Sequence, residues 1–290
     1  MASKPSITII GAGRLGVPLA EALVESGYLL REIVYRSPKN LKKRGHNLPG
    51  LIRHHSVSWE RARFNAGVIW LCVPDVQIMP VAQNLQSLTL WPKKIVFHSS
   101  GLLTSDALQV LRAQGASVAS VHPLMTFVHG SKPPLKNVLF GLEGDQTAVK
   151  VARQIVKGLR GDPFLVRKRD KALYHVWGTL LSPLFLAFVA TTEQVARYSG
   201  IPAQSAREKM FPIVMQTLSN YTNRGLANSF SGPLVRGDSA TIGAHLKALE
   251  RIPEARETYI ALARSALHYL PVRNRREIEK LLKTQLIIKR

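Results

Sequence analysis

Short runs rich in β-branched residues alternate with stretches of helical apolar spacing through the first half of the chain. The runs predict strands, which lie at residues 6–10, 32–36, 67–73, 94–99, 117–122, 138–142 and 164–166. The stretches between them predict helices at residues 14–26, 75–85, 104–114 and 146–159. Strands that alternate with helices are typical of an α/β fold with a doubly wound, mostly parallel sheet.

The strand signal stops near residue 168, and the rest of the chain has only helical patterns. Gly200 and Pro202 separate the first two helices, as a stop and a restart. We therefore predict two domains, an α/β domain over residues 1–168 and an all-α domain over residues 169–290. The helices of the second domain are predicted at residues 171–198, 203–222, 240–249, 254–270 and 275–286.

One apolar run, at residues 176–192, raises the question of a membrane span. Ser182-Pro183 interrupts it, and it falls short of the ~20 apolar residues that a span needs. We predict a buried helix here and no membrane partner. Residues 1–13 also lack the three-part pattern of a secretory signal.

A glycine-rich turn follows the first predicted strand. Gly11, Gly13 and Gly16 form the pattern G-x-G-x-x-G between a strand and a helix, with Arg14 and Leu15 before the last glycine. In such a turn the first glycine permits the tight bend, the second lets the backbone approach a diphosphate, and the third lets the helix pack on the strand. The helix N-terminus adds free N–H groups. The motif therefore predicts a Rossmann-type dinucleotide site that includes these five residues.

The residue at the end of the second strand chooses between NAD and NADP, because an acid there binds the ribose 2′-hydroxyl and repels a 2′-phosphate. Arg36 holds that position, and Ser37, Lys39 and Lys42 follow it. A guanidinium and a hydroxyl suit a phosphate, and nearby ammonium groups add charge. We therefore predict NADP(H) as the cofactor, held by Arg36 and Ser37. Glu32 is the competing acid but lies at the start of the strand, and an ordinary surface role for Arg36 is the alternative.

The carboxyl ends of the next strands supply further candidates, because ligands of doubly wound sheets lie beyond these ends. Val73 and Pro74 end one strand and are predicted to line the cofactor site, and Ser100 is predicted to contact cofactor or substrate. His122 ends a third strand, where an imidazole can protonate a developing alkoxide or amide near neutral pH. A structural histidine is the alternative for His122, and a helix cap is the favoured reading of Asp75.

The helical half of the chain adds a second group of polar candidates. Lys171 and His175 lie one helical turn apart and share a face. If that face closes over the cofactor, the lysine stabilises a substrate anion and the histidine transfers a proton. A solvated helix start is the alternative. Arg236 is a candidate for binding a substrate carboxylate or phosphate, and an ion pair with Asp238 or with a neighbouring subunit is its alternative.

The amino-acid composition restricts the kinds of ligand and the cellular compartment that we expect. Lys and Arg number 40 against 18 Asp and Glu, and the formal net charge of +22 attracts anions. The basic residues are spread along the chain without interleaved aromatic residues, so we expect a small anionic substrate rather than nucleic acid. Cys72 is the one cysteine, so we expect a reducing, cytoplasmic compartment. The sequence predicts no metal site.

The chain resembles a family of NADP-dependent oxidoreductases with a Rossmann-like amino-terminal domain and a helical carboxyl-terminal domain. It is also similar, more distantly, to pyrroline-5-carboxylate reductase, ketopantoate reductase and the 6-phosphogluconate dehydrogenase superfamily. The resemblance rests on four segments: HSSGLL from His98, SVHPLMTF from Ser120, KALYH from Lys171 and GPLVRGDSATIGAHL from Gly232.

The resemblance carries its own expectations. It implies an all-α domain of the 6-phosphogluconate dehydrogenase carboxyl-terminal type, a homodimer formed through the helical domains, and an active cleft between domains. It also implies a role for Lys171, which matches a lysine on the first long helix of the wider superfamily. The asparagine that these relatives carry further along that helix is replaced here by Ser182-Pro183, which puts the substrate-binding role of the helix in doubt.

Together these observations predict an NADP(H)-dependent oxidoreductase that moves hydride to or from a C=O or C=N carbon. His122, Lys171 and His175 are the candidate acid and charge-stabilising groups. A protein that binds NADP(H) without turnover would have the same glycine turn and is the first alternative. A basic protein associated with nucleic acid is the second.

Overall fold

The computed structural model describes residues 4–36, 49–88 and 91–287. Eight strands in this part of the chain form one sheet in the order β3-β2-β1-β4-β5-β6-β7-β8. The strands are β1 (Ile7–Ile10), β2 (Leu30–Tyr35), β3 (Ser56–Ser58), β4 (Val68–Leu71), β5 (Ile95–His98), β6 (Ser117–Pro123), β7 (Leu139–Gly144) and β8 (Asp162–Leu165).

The sheet is mostly parallel, as predicted. Only β6 and β7 pair in antiparallel fashion. Ile10 at the end of β1 aligns with Val34 of β2 and Leu71 of β4, and His98 at the end of β5 aligns with Ser120 of β6. The carboxyl ends of these strands therefore lie along one edge of the sheet. Because neighbouring strands are about 4.8 Å apart, this edge spans roughly 14 Å from β1 to β6.

Apolar clusters cover both faces of the sheet. Successive residues of a strand point to opposite faces, so Ile9 joins the cluster with Leu19 and Ile155 while Ile10 joins the cluster with Ile78. This arrangement confirms the doubly wound architecture. The helices of this part are α1 (Gly16–Glu25), α2 (Gly50–Arg53), α3 (Asp75–Leu85), α4 (Gln109–Arg112) and α5 (Gln146–Gly158).

The rest of the described chain, up to residue 287, is mainly helical. The core of this region is formed by Ile242, Leu246, Ile260, Ile278 and Leu282, which are almost completely buried. Its helices are α6 (Lys171–Thr179), α7 (Phe185–Tyr198), α8 (Ala203–Ser229), α9 (Pro233–Arg236), α10 (Ser239–Ala248), α11 (Pro253–Tyr269) and α12 (Arg275–Ile287).

The observed elements differ locally from the predicted ones. The short strand β3 and the single-turn helix α9 carry too few residues for a periodic signal. Part of the helix predicted at residues 104–114 is a 3-10 turn, Ser105–Leu108. The helix predicted at residues 171–198 is interrupted by a π turn, Leu180–Leu184, because Pro183 has no N–H to donate to the helical ladder.

The chain divides into two compact units, Met1–Ser182 and Pro183–Arg290. The division comes later than the boundary predicted near residue 168, because α6 packs with the sheet. Lys171 and Tyr174 of α6 are buried, and the Tyr174 hydroxyl donates a hydrogen bond to the carbonyl oxygen of His122 on β6. The change from strand to helix in the sequence therefore does not coincide with the change from one unit to the next.

The apolar run at residues 176–192 is not the buried helix that the sequence predicts. An 18-residue window within Lys168–Tyr198 has a mean hydropathy of 1.5 and is only 6% buried. By length and composition alone this helix is apolar enough to cross a membrane, a test that core helices and signal sequences also pass. The prediction was wrong because an apolar pattern identifies a surface that avoids water and does not say what covers that surface.

Candidate functional site

The glycine turn joins the end of β1 to the start of α1. Gly11 has a φ of +113°, and a Cβ there would lie 2.4 Å from the carbonyl oxygen of Cys72. A Cβ at Gly16 would lie 1.8 Å from the carbonyl oxygen of Gly11. A Cβ at Gly13, by contrast, would meet no atom within 4 Å. The fold therefore requires Gly11 and Gly16, whereas Gly13 borders open space beside the N-terminus of α1, where free N–H groups suit a diphosphate.

Four predicted site residues adjoin this turn, at the ends of β1 and β4. Arg14 is exposed, and Leu15 precedes α1 and packs against the apolar cluster beneath it. Val73 follows β4, and a Cβ at Gly11 would lie 3.2 Å from its Cγ1 atom. Pro74 is exposed and holds the N-cap position of α3. The ends of β1 and β4 are therefore adjacent at the carboxyl edge of the sheet.

Arg36 follows β2 directly and is exposed. Since β2 pairs with β1, its carboxyl end lies beside the glycine turn. Ser37, Lys39 and Lys42 lie outside the described residues. Among the described residues, the guanidinium of Arg36 is therefore the charged group directly after β2, beside the glycine turn.

Glu32, the competing acid, serves the fold. It is buried in β2, and its carboxylate accepts hydrogen bonds from the backbone N–H groups of Arg63 at 2.7 Å and Phe64 at 3.1 Å. The hydroxyl of Thr8 lies 3.3 Å from the same carboxylate. These bonds occupy the acid that could otherwise have favoured a ribose hydroxyl.

The Ser100 hydroxyl is fully used within the protein. It donates to Oδ2 of Asp75 at 2.6 Å and accepts from the N–H groups of Leu102 at 3.2 Å and Leu103 at 2.9 Å. A hydroxyl has one proton and two lone pairs, so no capacity remains for a ligand. The side chain of Ser100 therefore shapes the loop after β5. Pro74 holds the N-cap position of α3, so Asp75, the first residue of that helix, is not the capping residue that the sequence predicts.

Lys171 lies beneath the same loop. It begins α6, is 1% exposed, and donates hydrogen bonds to the carbonyl oxygens of Ser100 at 3.1 Å and Gly101 at 3.2 Å. Burial lowers the pKa of Lys171 to about 8, although the nearby carboxylates of Glu143 and Asp75 oppose this shift. The lysine therefore brings a buried, readily titrated amine to the carboxyl edge of the sheet.

Two histidines meet at Gly101. The rings of His122 and His175 have centroids 6.1 Å apart and are nearly perpendicular. A Cβ at Gly101 would lie 2.5 Å from Cδ2 of His175 and 2.9 Å from Nε2 of His122. His122, Lys171 and His175, which the sequence selects from distant positions, therefore surround one glycine.

His122 is neutral at pH 7. Burial lowers its pKa to about 3, and the positive charges of Lys171, His175 and His98 act in the same direction. An imidazole with this pKa carries no second proton near neutral pH. The predicted role of His122 as an acid that protonates an alkoxide near neutral pH is therefore not supported by its surroundings.

Arg236 belongs to the second compact unit. Its guanidinium lies 3.9 Å from Oδ2 of Asp238, and its side chain is 63% exposed. Asp238 caps α10 by accepting the N–H of Thr241 at 3.0 Å, as predicted for a helix start. The ion pair that the sequence offered as an alternative for Arg236 is therefore present, and it leaves the guanidinium accessible.

Tyr174 and Glu143 are site residues that the sequence reasoning missed. Tyr174 follows Lys171 by one helical turn, so its place on the same face could have revealed it. Glu143 gives no such signal, because it lies in β7 and its partners are distant in sequence. Its buried carboxylate accepts the N–H of Ser105 at 2.7 Å and the hydroxyl of Ser105 at 2.8 Å.

Solved structures share this fold over nearly the whole chain. A predicted NADP oxidoreductase from Bacteroides fragilis is 18% identical with a TM-score of 0.71, and the match covers 90% of this chain and 97% of that one. Pyrroline-5-carboxylate reductase from Coxiella burnetii is 16% identical with a TM-score of 0.57, covering 91% and 98%. A reductive aminase from Aspergillus terreus, solved with NADPH and ethyl-5-oxohexanoate, is 13% identical with a TM-score of 0.64, covering 92% and 94%.

Family models match both parts of the sequence. Residues 2–123 match the Rossmann-like domain, and residues 138–266 match the domain of unknown function DUF2520. No curated protein sequence is a significant match. The two matches follow one another along the sequence, and the chain shares its fold with the Bacteroides fragilis and Coxiella burnetii proteins.

Proposed function

We propose that this chain is an NADP(H)-dependent oxidoreductase that transfers hydride to or from a C=O or C=N carbon of a small anionic substrate. The observation that carries the proposal is the contrast within the glycine turn, where Gly11 and Gly16 pack against backbone and Gly13 borders open space. A diphosphate fits such a turn because it approaches the backbone where a side chain would stand. The similar fold of the Bacteroides fragilis and Aspergillus terreus proteins supports a nicotinamide cofactor.

NADP(H) is the form that suits the end of β2. Arg36 is exposed at this position, and a guanidinium can bind a 2′-phosphate through two parallel hydrogen bonds. Glu32 is occupied by the backbone of Arg63 and Phe64 and does not compete. The charge at the ribose therefore favours the phosphorylated coenzyme.

The residues around Gly101 suit the substrate end of such a site. When bound, the nicotinamide supplies the hydride chemistry. Lys171 holds the carbonyl groups of Ser100 and Gly101 in place, and its charge stabilises negative charge that develops nearby. His175 lies against His122 and is the candidate proton carrier, while His122 acts as a neutral hydrogen-bonding group.

An anionic substrate suits the charge of the protein. The net charge of +22 raises the local concentration of anions. Arg236 is the candidate ligand for a carboxylate or phosphate, since its guanidinium is exposed and its ion pair with Asp238 is long at 3.9 Å. This role does not depend on Lys171, because the ammonium group of that residue is hydrogen-bonded to carbonyl oxygens within the first unit.

The active form in this proposal is a cytoplasmic homodimer formed by the helical units. Phe211, Met215 and Leu218 share one face of α8 and are 62%, 48% and 49% exposed. Soluble proteins seldom leave such a surface in water, and a second copy would cover it. The other large exposed apolar residues of α8 are Ile213, Tyr221 and Leu226, the last of which lies beyond a kink at Gly225.

Fluorescence titration with NADPH and NADH tests the cofactor. We expect the wild-type chain to bind NADPH, and Gly13→Ala to weaken that binding about tenfold, because the added methyl group occupies the path of the diphosphate. The melting temperature should not change, since this methyl meets no atom within 4 Å.

Gly67→Ala is the matched control. Gly67 precedes β4 at the amino edge of the sheet, and a Cβ there would have Ser6 O as its nearest neighbour at 3.9 Å. This variant should bind NADPH like the wild type. Failure of the wild type to bind either coenzyme would remove the proposal. Tight binding with no turnover of keto acids, imines or aldehydes would favour an NADP(H)-binding protein instead.

A further inference from the structure

The phenol of Tyr174 contacts two atoms of one residue, His122. Its oxygen lies 3.0 Å from Nδ1 of the imidazole and 3.2 Å from the backbone carbonyl oxygen. The two rings meet edge to face, with centroids 5.6 Å apart. A phenol has one proton to donate, so both contacts can be hydrogen bonds in only one way. The phenol donates to the carbonyl, which can only accept, and the imidazole donates Nδ1–H to the phenol oxygen.

The protonation states of both groups agree with this arrangement. Burial lowers the pKa of His122 to about 3, so the ring has a single proton near pH 7. Burial raises the pKa of Tyr174 to about 12, so the phenol keeps its proton. When the one imidazole proton is on Nδ1, the Nε2 atom has a free lone pair and can only accept.

Gly101 lies next to the Nε2 atom that carries this lone pair. A Cβ at Gly101 would come within 2.9 Å of Nε2 and within 2.5 Å of Cδ2 of His175. Any side chain there would collide with both imidazole rings, so the close approach of the loop to Nε2 requires glycine. His122 is itself partly exposed. The lone pair of Nε2 is therefore held at the loop after β5 and is not closed off by a side chain of that glycine.

We infer that Tyr174 is a positioning residue that holds His122 as the neutral Nδ1–H tautomer, so that Nε2 accepts a hydrogen bond from the substrate. The identification of the hydrogen-bond donor to Nε2 as a substrate rests on the proposed function. The tautomer of His122 does not depend on it. The Nδ1–H tautomer also restricts which class of substrate can bind, because Nε2 can only accept a hydrogen bond. The reacting group bound by Nε2 must present an N–H or O–H, as an alcohol, an amine or a protonated imine does, and a ketone or aldehyde oxygen does not.

The tautomer can be measured directly by NMR of protein labelled with ¹⁵N-histidine. The shifts of the two ring nitrogens distinguish Nδ1–H from Nε2–H, and loss of one set of signals in His122→Asn assigns His122. We expect Nδ1–H in the wild type at pH 7, and a shift toward Nε2–H in Tyr174→Phe. Nε2–H in the wild type would overturn the inference, even if Tyr174→Phe does not fold.

Tyr259→Phe is the matched control, because the Tyr259 hydroxyl lies 3.1 Å from Nδ1 of His245 in the other unit. This variant should leave the His122 signals unchanged. An unchanged His122 tautomer in folded Tyr174→Phe would show that the tyrosine only packs against the ring.

Steady-state kinetics with NADP⁺ and a panel of small anionic alcohols and amines, such as hydroxy acids and amino acids, tests the substrate class. In Tyr174→Phe we expect kcat to fall about tenfold, the effect of losing one hydrogen bond, with the KM for NADP⁺ unchanged. An unchanged kcat would contradict the positioning role. If the wild type turns over none of the panel while the tautomer is Nδ1–H, the proposed function fails and the structural assignment of Tyr174 stands.

Discussion

The ammonium group of Lys171 donates a hydrogen bond to the carbonyl oxygen of Ser100 at 3.1 Å, in a position where the lysine is only 1% exposed. A second bond, to Gly101, completes a bridge between the start of α6 and the loop after β5. A buried lysine is costly unless its charge is compensated, and here two carbonyl groups and the carboxylates of Glu143 and Asp75 provide the compensation. The stability of the site should therefore depend on the protonation of this amine.

Lys171→Met should change the pH dependence of folding. Burial lowers the pKa of Lys171 from 10.5 to about 8. Between these values the unfolded chain holds a proton that the folded chain has released, so this residue makes the free energy of unfolding rise with pH. Urea unfolding of both proteins should show that the wild type gains stability relative to Lys171→Met from pH 8 to 10.5.

Lys168→Met is the control for this measurement. Lys168 lies on the turn before α6, is 55% exposed, and pairs with Asp106. The side chain of Lys168 is exposed whereas that of Lys171 is buried, so this variant should follow the pH dependence of the wild type. The same pH dependence in Lys168→Met and Lys171→Met would contradict the assignment.

Arg36→Asp should change the coenzyme preference. A carboxylate at the end of β2 repels a 2′-phosphate and can accept hydrogen bonds from a ribose hydroxyl. We expect the ratio of the NADPH and NADH dissociation constants to shift toward NADH by about tenfold or more, measured by fluorescence titration. Arg31→Asp is the control, since Arg31 is exposed near the opposite end of the same strand. An unaltered ratio in Arg36→Asp would place the 2′-phosphate elsewhere.

Leu218→Asp should convert the proposed dimer to a monomer. Leu218 is 49% exposed on α8, and a charge buried between two copies would have no partner in the second copy's apolar surface. Analytical ultracentrifugation should give twice the chain mass for the wild type and one chain mass for the variant. Leu29→Asp, at an apolar residue in the first unit that is 51% exposed, should remain dimeric. A monomeric wild type would leave the apolar surface without its proposed partner.

Most strands and helices could be predicted because their signals are local. Ile9 and Ile10 alternate between two apolar clusters, as residues of a strand with both faces covered must. The glycine turn could be predicted for the same reason. Close contacts within one strand, one turn and one neighbouring strand require glycine at positions 11 and 16. The break at Pro183 was visible as a proline, but the π turn around it was not.

The amino-acid sequence alone determined the parallel sheet, the glycine turn, the positive residue at the end of β2 and the identity of three polar candidates. Only the tertiary structure decided what those candidates can do. Burial and neighbouring cations lower the pKa of His122 and so disfavour the charged form that an acid near neutral pH needs. The hydroxyl of Ser100 is bonded to Asp75 and to backbone N–H groups and is not free for a ligand. Protonation and hydrogen-bonding capacity depend on atoms that lie close in space, and these atoms come from segments far apart in the chain.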